Sequence, residues 1–223
     1  MTSEEVFDKF AERYDRWYER PFGSSVFRIE KACISTLCEG LKGPYLEVGV
    51  GTGRFSKALG IEYGLDTSMG VLKLAKGRGI TVVQGAGESL PFRDGCFGAV
   101  FIIVTICFVR EPLKVLREAS RVLRDDGSVI LGLIPRESPW AAYYIKKGEA
   151  GNVFYKIARF YSKDELEGML SLAGLRITRA CSTLFHEPTE EPVEFEPPKE
   201  GLHLDAGFVS LIAKKVSNLQ KFK

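Results

Sequence analysis

The chain has 223 residues, 45% apolar and 27% charged, with 31 Lys+Arg against 29 Asp+Glu and a net charge of +2. That length supports a single domain, residues 1–223, whose core needs no disulfide or metal staple; the near-neutral charge argues against a protein whose main task is coating nucleic acid. No apolar run reaches the ~20 residues that span a bilayer. The acidic, amphipathic opening is unlike a signal or transit peptide. Five cysteines without CxxC spacing (Cys33, Cys38, Cys96, Cys107, Cys181) read as reduced thiols in a cytoplasmic protein, and only two histidines argue against a His-based metal site.

The first forty residues predict two helices forming a lid. Phe7, Phe10, Tyr14 and Trp17 share one face, with Thr2 and Glu5 as a capping box; a second helix runs from Ser24/Ser25 to about Cys38. Short apolar or β-branched runs follow at Tyr45–Val50, Glu62–Leu65, Ile80–Gln84, Ala99–Val104 and Ser128–Ile134. Helical stretches separate them, the clearest at Pro112–Arg124, which Gly127 ends. Alternation of this kind implies a mostly parallel sheet with helices on both faces. After Pro135 an aromatic and basic insertion, 135–161, precedes a capped helix at Ser162–Ala173. Two closing strands follow, Leu175–Phe185 and Phe208–Lys214. Between them the insertion 186–206 is rich in proline and glutamate and reads as an extended acidic loop. The tail Val216–Lys223 is expected to fray.

The strongest signal is YLEVGVGTGRF at 45–55. Glycines at a strand-to-helix turn permit positive φ and let backbone approach a ligand, which in a parallel sheet lies at the carboxyl ends of the strands. A dinucleotide fingerprint wants another glycine where Arg54 stands, and Glu47 suits a cation better than a pyrophosphate. Glu47-Val48-Gly49-Val50-Gly51-Thr52-Gly53 resembles the first motif of class I S-adenosylmethionine-dependent methyltransferases, in particular the small ubiquinone/menaquinone-biosynthesis C-methyltransferases with a type 11 methyltransferase domain. The resemblance covers residues 40–134 by motif and the rest by layout. It implies an α/β, Rossmann-like three-layer sandwich: a seven-stranded, mostly parallel sheet with an antiparallel final strand, a cofactor core at 41–134 and an N-terminal helical lid at 1–40. It also implies S-adenosyl-L-methionine as cofactor, with its aminoacyl part wrapped by the Gly49–Gly53 loop and its ammonium near Glu47.

Three further stretches agree with it. In GLDTSMGVLKLAK, 64–76, Asp66 stands nineteen residues after Glu47 at a strand end, placed to accept both ribose hydroxyls or, more plainly, to cap the next helix; the resemblance lays Met69 against adenine. QGAGESLPFRDGCFGAV, 84–100, puts Gly87 and Glu88 at the adenine edge, but two acids usual in the family are replaced by Ala86 and Gly98. VTICFVREPLKVLREASRVLRDDGSVILG, 104–132, turns Thr105 to Phe108 toward cofactor and acceptor. Cys107 there is an apolar-flanked thiol rather than a nucleophile.

Methyl transfer from a sulfonium needs alignment and exclusion of water more than a fixed catalytic triad, and no triad is visible, so no catalytic residue is assigned. Candidate acceptor contacts are Trp17, Tyr18 and Phe108, then Arg136, Trp140 and Tyr155 from the insertion, and His186 from the acidic loop; Tyr14 belongs to a lid helix, Tyr14-Asp15-Arg16-Trp17-Tyr18, that covers the cofactor in similar enzymes. The expected partner is a small-molecule methyl acceptor, not nucleic acid, on a monomer or homodimer. The alternatives are a cofactor-binding protein without turnover, suggested by Ala86, and a nicotinamide oxidoreductase, disfavoured by Glu47 and Arg54.

Overall fold

The computed structural model describes residues 1–216. Three helices open the chain: α1 (Ser3–Lys9), α2 (Ala11–Trp17) and α3 (Pro21–Leu37). The Thr2/Glu5 capping box is present. The expected first helix is two, because Phe10 leaves helical geometry at φ −116° and ψ 21° and becomes the N-cap of α2. The next helix starts earlier than expected, with Pro21 at its first turn, where a fixed φ and a missing N–H cost nothing.

The strands β1 (Tyr45–Val48), β2 (Tyr63–Asp66), β3 (Thr81–Gln84), β4 (Phe97–Ile103) and β5 (Leu123–Leu133) alternate with α4 (Arg54–Leu59), α5 (Met69–Gly77) and α6 (Pro112–Val122). Then come α7 (Pro139–Glu149), a 3₁₀ turn at Tyr155–Ile157, α8 (Lys163–Leu172) with its Ser162/Glu165 capping box, β6 (Leu175–Thr183), β7 (Lys199–Glu200) and β8 (Phe208–Lys215). They form one sheet ordered β3-β2-β1-β4-β5-β8-β6-β7. Strands β1 to β5 pair in parallel, and β8 runs antiparallel to both β5 and β6.

The seven expected strands are all there; the eighth, β7, is two residues of the acidic loop paired to Cys181 and Ser182. Helix α6 stops at Val122 rather than Arg124, because Leu123 turns to extended geometry and pairs with Phe97 ahead of a bulge. Strand β1 ends two residues early, since Gly49 and Gly51 both take positive φ. Of the tail expected to fray only Val216 is described, its amide bonded to the Gly174 carbonyl; the rest lies outside the described residues.

Alternation along the central strands builds two cores, one on each face. Val100 and Ile102 of β4 and Val129, Leu131 and Leu133 of β5 face α6 and α8, whereas Ala99, Phe101 and Ile103 with Ile130 face α3 and α4. All seven residues of β4 are buried. The order reverses at β1, flanked by β2 on one side and β4 on the other, which opens a crevice at the carboxyl ends of these strands. Among the described residues no helix is long and apolar enough to cross a membrane.

Candidate active site

A cavity of about 730 Å³ fills this crevice, within the ~300–1,000 Å³ usual for small-molecule sites. Its floor is the loop after β1. Gly49 and Gly51 adopt φ of +72° and +52°, and both Gly49 and Val50 donate to the Leu65 carbonyl, which clips the loop to β2. Gly49 is also required by space, since a Cβ there would lie 2.2 Å from the Thr105 side chain. Thr105 uses that proximity, its hydroxyl donating to the Gly49 and Ile103 carbonyls. The preceding residue, Val104, is a β-branched residue held at φ +49°, a conformation costing roughly 1–3 kcal/mol. Its amide donates to Gly132, and this strained turn aims Thr105 back at the glycine loop.

Two acids face the cavity from neighbouring strand ends. Glu47 is 2% exposed and accepts a short hydrogen bond from Ser56 of α4. Burial pushes its carboxyl up to about 8, opposed by Ser56 and helped by the nearby Asp66 charge. Asp66 accepts the amides of Gly51 and Ser68, while burial raises its pKa against those bonds. Both acids therefore gain from a ligand that offers a cation to one and donors to the other. The far wall is Gly85, Ala86, Gly87 and Glu88. Gly87 has no room for a side chain, a Cβ there lying 2.9 Å from Val48. Glu88 spends one oxygen on the amides of Arg110 and Glu111 ahead of α6. It holds that loop in place, a structural duty besides lining the wall.

The roof comes from the lid. Tyr14 lies over Gly51, its ring 3.7 Å from where a Cβ would stand, and its hydroxyl meets that of Tyr18 at 2.9 Å. Phe7 of α1 packs edge-on to Tyr14 and Phe108. Two polar latches hold the lid down. Asp8 accepts the Gly70 amide and the Ser68 hydroxyl at the start of α5. Asp15 takes a two-pronged bond from Arg54 and another from Arg78, and Arg78 also donates to the Thr52 carbonyl. Burial works against the Asp15 charge, but the bonds from Arg54, Thr52 and Arg78 hold its carboxyl down at about 2. Arg54, conspicuous in the sequence for displacing a glycine, thus fastens the lid to the glycine loop.

The structure brings Tyr14, Tyr18, Glu47, Gly49, Gly51, Asp66, Gly87, Glu88, Thr105 and Phe108 to one cavity. Other candidates lie elsewhere. Gly53 stands behind the loop as the N-cap of α4, against Ala75, and Met69 is 45% exposed at the start of α5, outside the wall. Tyr155 lines a small apolar pocket next door, which shares Val104 and Phe108 with the cavity. Trp17 packs on Tyr18 and Phe22. Arg136 is half exposed and bonded to Glu165. Trp140 is 1% exposed, stacks on Phe22 and donates its indole N–H to the His186 carbonyl. His186 faces Glu196, not the cavity. The reason is shared: the insertion and the acidic loop pack on each other, with Tyr143 and Lys147 both on Glu190, instead of on the cavity mouth. Burial pushes the Cys107 thiol up to about 12. Asp8, Ser56, Arg78 and Val104 went unnoticed in the sequence, where no motif marks them.

An open α/β sheet with a glycine loop and acids at two adjacent strand ends defines a nucleoside-cofactor fold. Residues 46–131 match the family model described as a methyltransferase domain. A solved S-adenosylmethionine-dependent methyltransferase from Thermotoga maritima, described as a possible histamine N-methyltransferase, is 36% identical, with 96% of this chain and 100% of that chain covered and a TM-score of 0.87. An uncharacterized protein of Mycobacterium tuberculosis is 38% identical over 213 residues, 96% of this chain and 75% of the relative. A demethylmenaquinone methyltransferase from Thermotoga maritima is 33% identical over 141 residues, 58% of this chain and 61% of the relative. The chain belongs to the class I S-adenosylmethionine-dependent methyltransferases, and S-adenosylmethionine is its cofactor.

Proposed function

We propose that this enzyme methylates a small-molecule acceptor bound in the same cavity as the cofactor. In this reading Glu47 takes the cofactor's ammonium, Asp66 its ribose hydroxyls, and the Gly85–Glu88 backbone its adenine, with no side chain from Ala86. The donor set fits: a buried acid raised by burial is stabilised by a cation, and a carboxylate beside it can accept two hydroxyls. When bound, S-adenosylmethionine supplies an electrophilic methyl carbon. The chain's own contribution is to align the acceptor and exclude water, through a lid whose Asp15 is gripped by two arginines.

The observation that carries the reading is the continuity of one cavity from Asp66 and Glu47 to the rings of Phe7, Tyr14, Tyr18 and Phe108. Its lining joins polar groups that suit the cofactor to aromatic rings that suit an organic acceptor. The description of the Thermotoga neighbour as a possible histamine N-methyltransferase is compatible with a small organic acceptor. The test is methyl transfer from isotope-labelled S-adenosylmethionine to pooled small metabolites. Labelled product that depends on Glu47 and Asp66 supports the reading; cofactor binding with no acceptor in any pool favours a binding protein without turnover.

A further inference from the structure

Tyr14 and Tyr18 of α2 both line the main cavity, and their hydroxyls lie 2.9 Å apart. Each phenol carries a single hydrogen. Burial pushes both above the usual phenol range, so at neutral pH the pair keeps both hydrogens. Whichever hydroxyl donates, one hydrogen spans the pair and the other is left over. Neither oxygen has a further hydrogen-bond partner among the described residues. A donor set inside a protein ordinarily finds an acceptor, and here the leftover hydrogen is free for a ligand.

The pair stands over the glycine loop. The Tyr14 ring lies 3.7 Å from where a Gly51 Cβ would be. Tyr18 is set behind it, edge-on to Phe27 and Phe55, with the Arg54 guanidinium 5.4 Å from its ring centre. Glu47, at the root of the same loop, shares the cavity with both rings. An α-amino acid bears its carboxylate on the carbon that bears its ammonium. A ligand whose ammonium sits on Glu47 therefore brings an anion in among the acids Glu47 and Asp66, and that anion needs a donor. Nearby donors are already engaged: the Thr105 hydroxyl on the Gly49 and Ile103 carbonyls, Ser56 on Glu47, and Arg54 on Asp15 and Glu19. The tyrosine pair is not.

We propose that Tyr14 binds the carboxylate of the cofactor's aminoacyl group, with Tyr18 as the positioning residue that donates to the Tyr14 oxygen and so turns the Tyr14 hydrogen toward the ligand. This rests on the reading of Glu47 as the seat of the cofactor's ammonium. The zwitterion is then divided between two partners, its cation on a strand-end acid and its anion on a neutral donor. A hydrogen bond to an ionised acceptor is about twice as strong as a neutral one, and a chain of hydroxyls strengthens its outer member. Both tyrosines ride on α2, the helix that Asp15 fastens to Arg54 and Arg78. The lid itself thus reads the cofactor, and a ligand that carries the carboxylate favours the closed roof.

Calorimetry with three nucleosides tests this: S-adenosylhomocysteine, its decarboxylated counterpart, and methylthioadenosine, which lacks ammonium and carboxylate alike. The wild type should bind S-adenosylhomocysteine about tenfold or more tighter than the decarboxylated amine. Tyr14→Phe should bring that pair within about threefold and hold methylthioadenosine affinity within about twofold. Tyr18→Phe should narrow the gap by a smaller factor, and the double variant should match Tyr14→Phe alone, because Tyr18 acts through Tyr14. A Tyr18 that merely packs would leave the ratio of the two affinities where it was, which overturns its positioning role. Equal wild-type affinities for S-adenosylhomocysteine and the decarboxylated amine overturn the proposal, and so does a gap that survives in Tyr14→Phe. A wild type that binds none of the three nucleosides strikes the cofactor reading and the proposal with it; a missing carboxylate preference strikes the proposal alone.

Discussion

Around the glycine loop, Glu47, Asp66 and Thr105 are each fixed by directional hydrogen bonds from Ser56, Gly51 and Ser68, or to Gly49. In the roof over it, Tyr14, Phe108, Phe7 and Phe154 meet through rings alone, apart from one hydroxyl pair. The first suits a ligand whose polar groups never change. The second offers apolar ring faces of adaptable shape.

The comparison can be broken most severely at Gly49. Gly49→Ala forces a Cβ into Thr105 at a positive φ, and should cost roughly 3 kcal/mol or more in a denaturation curve and abolish S-adenosylhomocysteine binding. Gly51→Ala, where the nearest atom is 3.7 Å away, should cost only about 1 kcal/mol. A pH series on the ligand-free protein sharpens the contrast next. Glu47 and Glu30 have folded pKa values raised to about 8. The folded state thus binds more protons than the unfolded one above their ordinary range, and stability should fall as pH rises from about 4.5 through 8, by on the order of a few kcal/mol. Saturating S-adenosylhomocysteine should flatten the Glu47 share and leave that of Glu30.

Smaller effects follow at the lid and at Asp66. Asp15→Ala leaves Arg54 and Arg78 without their acid, and should lower stability by about 2–3 kcal/mol at pH 7. The folded pKa of Asp15 lies at about 2, below its unfolded value. Its contribution is therefore present above about pH 4 and should vanish as pH falls toward 2, so wild-type and variant melts converge there. Asp66→Ala should weaken S-adenosylhomocysteine binding by about 1.5–3 kcal/mol in calorimetry. Smallest of all, Arg136→Ala removes a half-exposed pair with Glu165 remote from the cavity, and should shift stability by no more than about 0.5 kcal/mol and leave turnover unchanged.

What could be read in advance divides along the same line. Glu47, the glycines and Asp66 belong to short stretches where strand, turn and helix start follow one another, so their spacing carries the geometry. The acceptor candidates came from local aromatic density instead. Phe108, Tyr14 and Tyr18 do reach the cavity, but Trp140 turns into a core behind Phe22 and Arg136 onto Glu165. Density does not say which face of α7 meets the lid. Glu30 was unreadable for a related reason: a glutamate in an amphipathic helix looks like a surface residue until the neighbouring layers are placed.

The sequence alone determined the order of strands and helices, the capping boxes at Thr2 and Ser162, and the cofactor loop, because period, turn residues and caps act over a few residues. Only the tertiary structure decided where the chain's distant parts meet. It split the first helix at Phe10 so that Asp8 and Asp15 could latch onto α5, Arg54 and Arg78. It also paired the acidic loop with the insertion, and gathered rings of α1 and α2 against Phe108 and Phe154. Those encounters depend on which faces remain to be buried once the sheet is covered, a property of the packed layers and of no single segment.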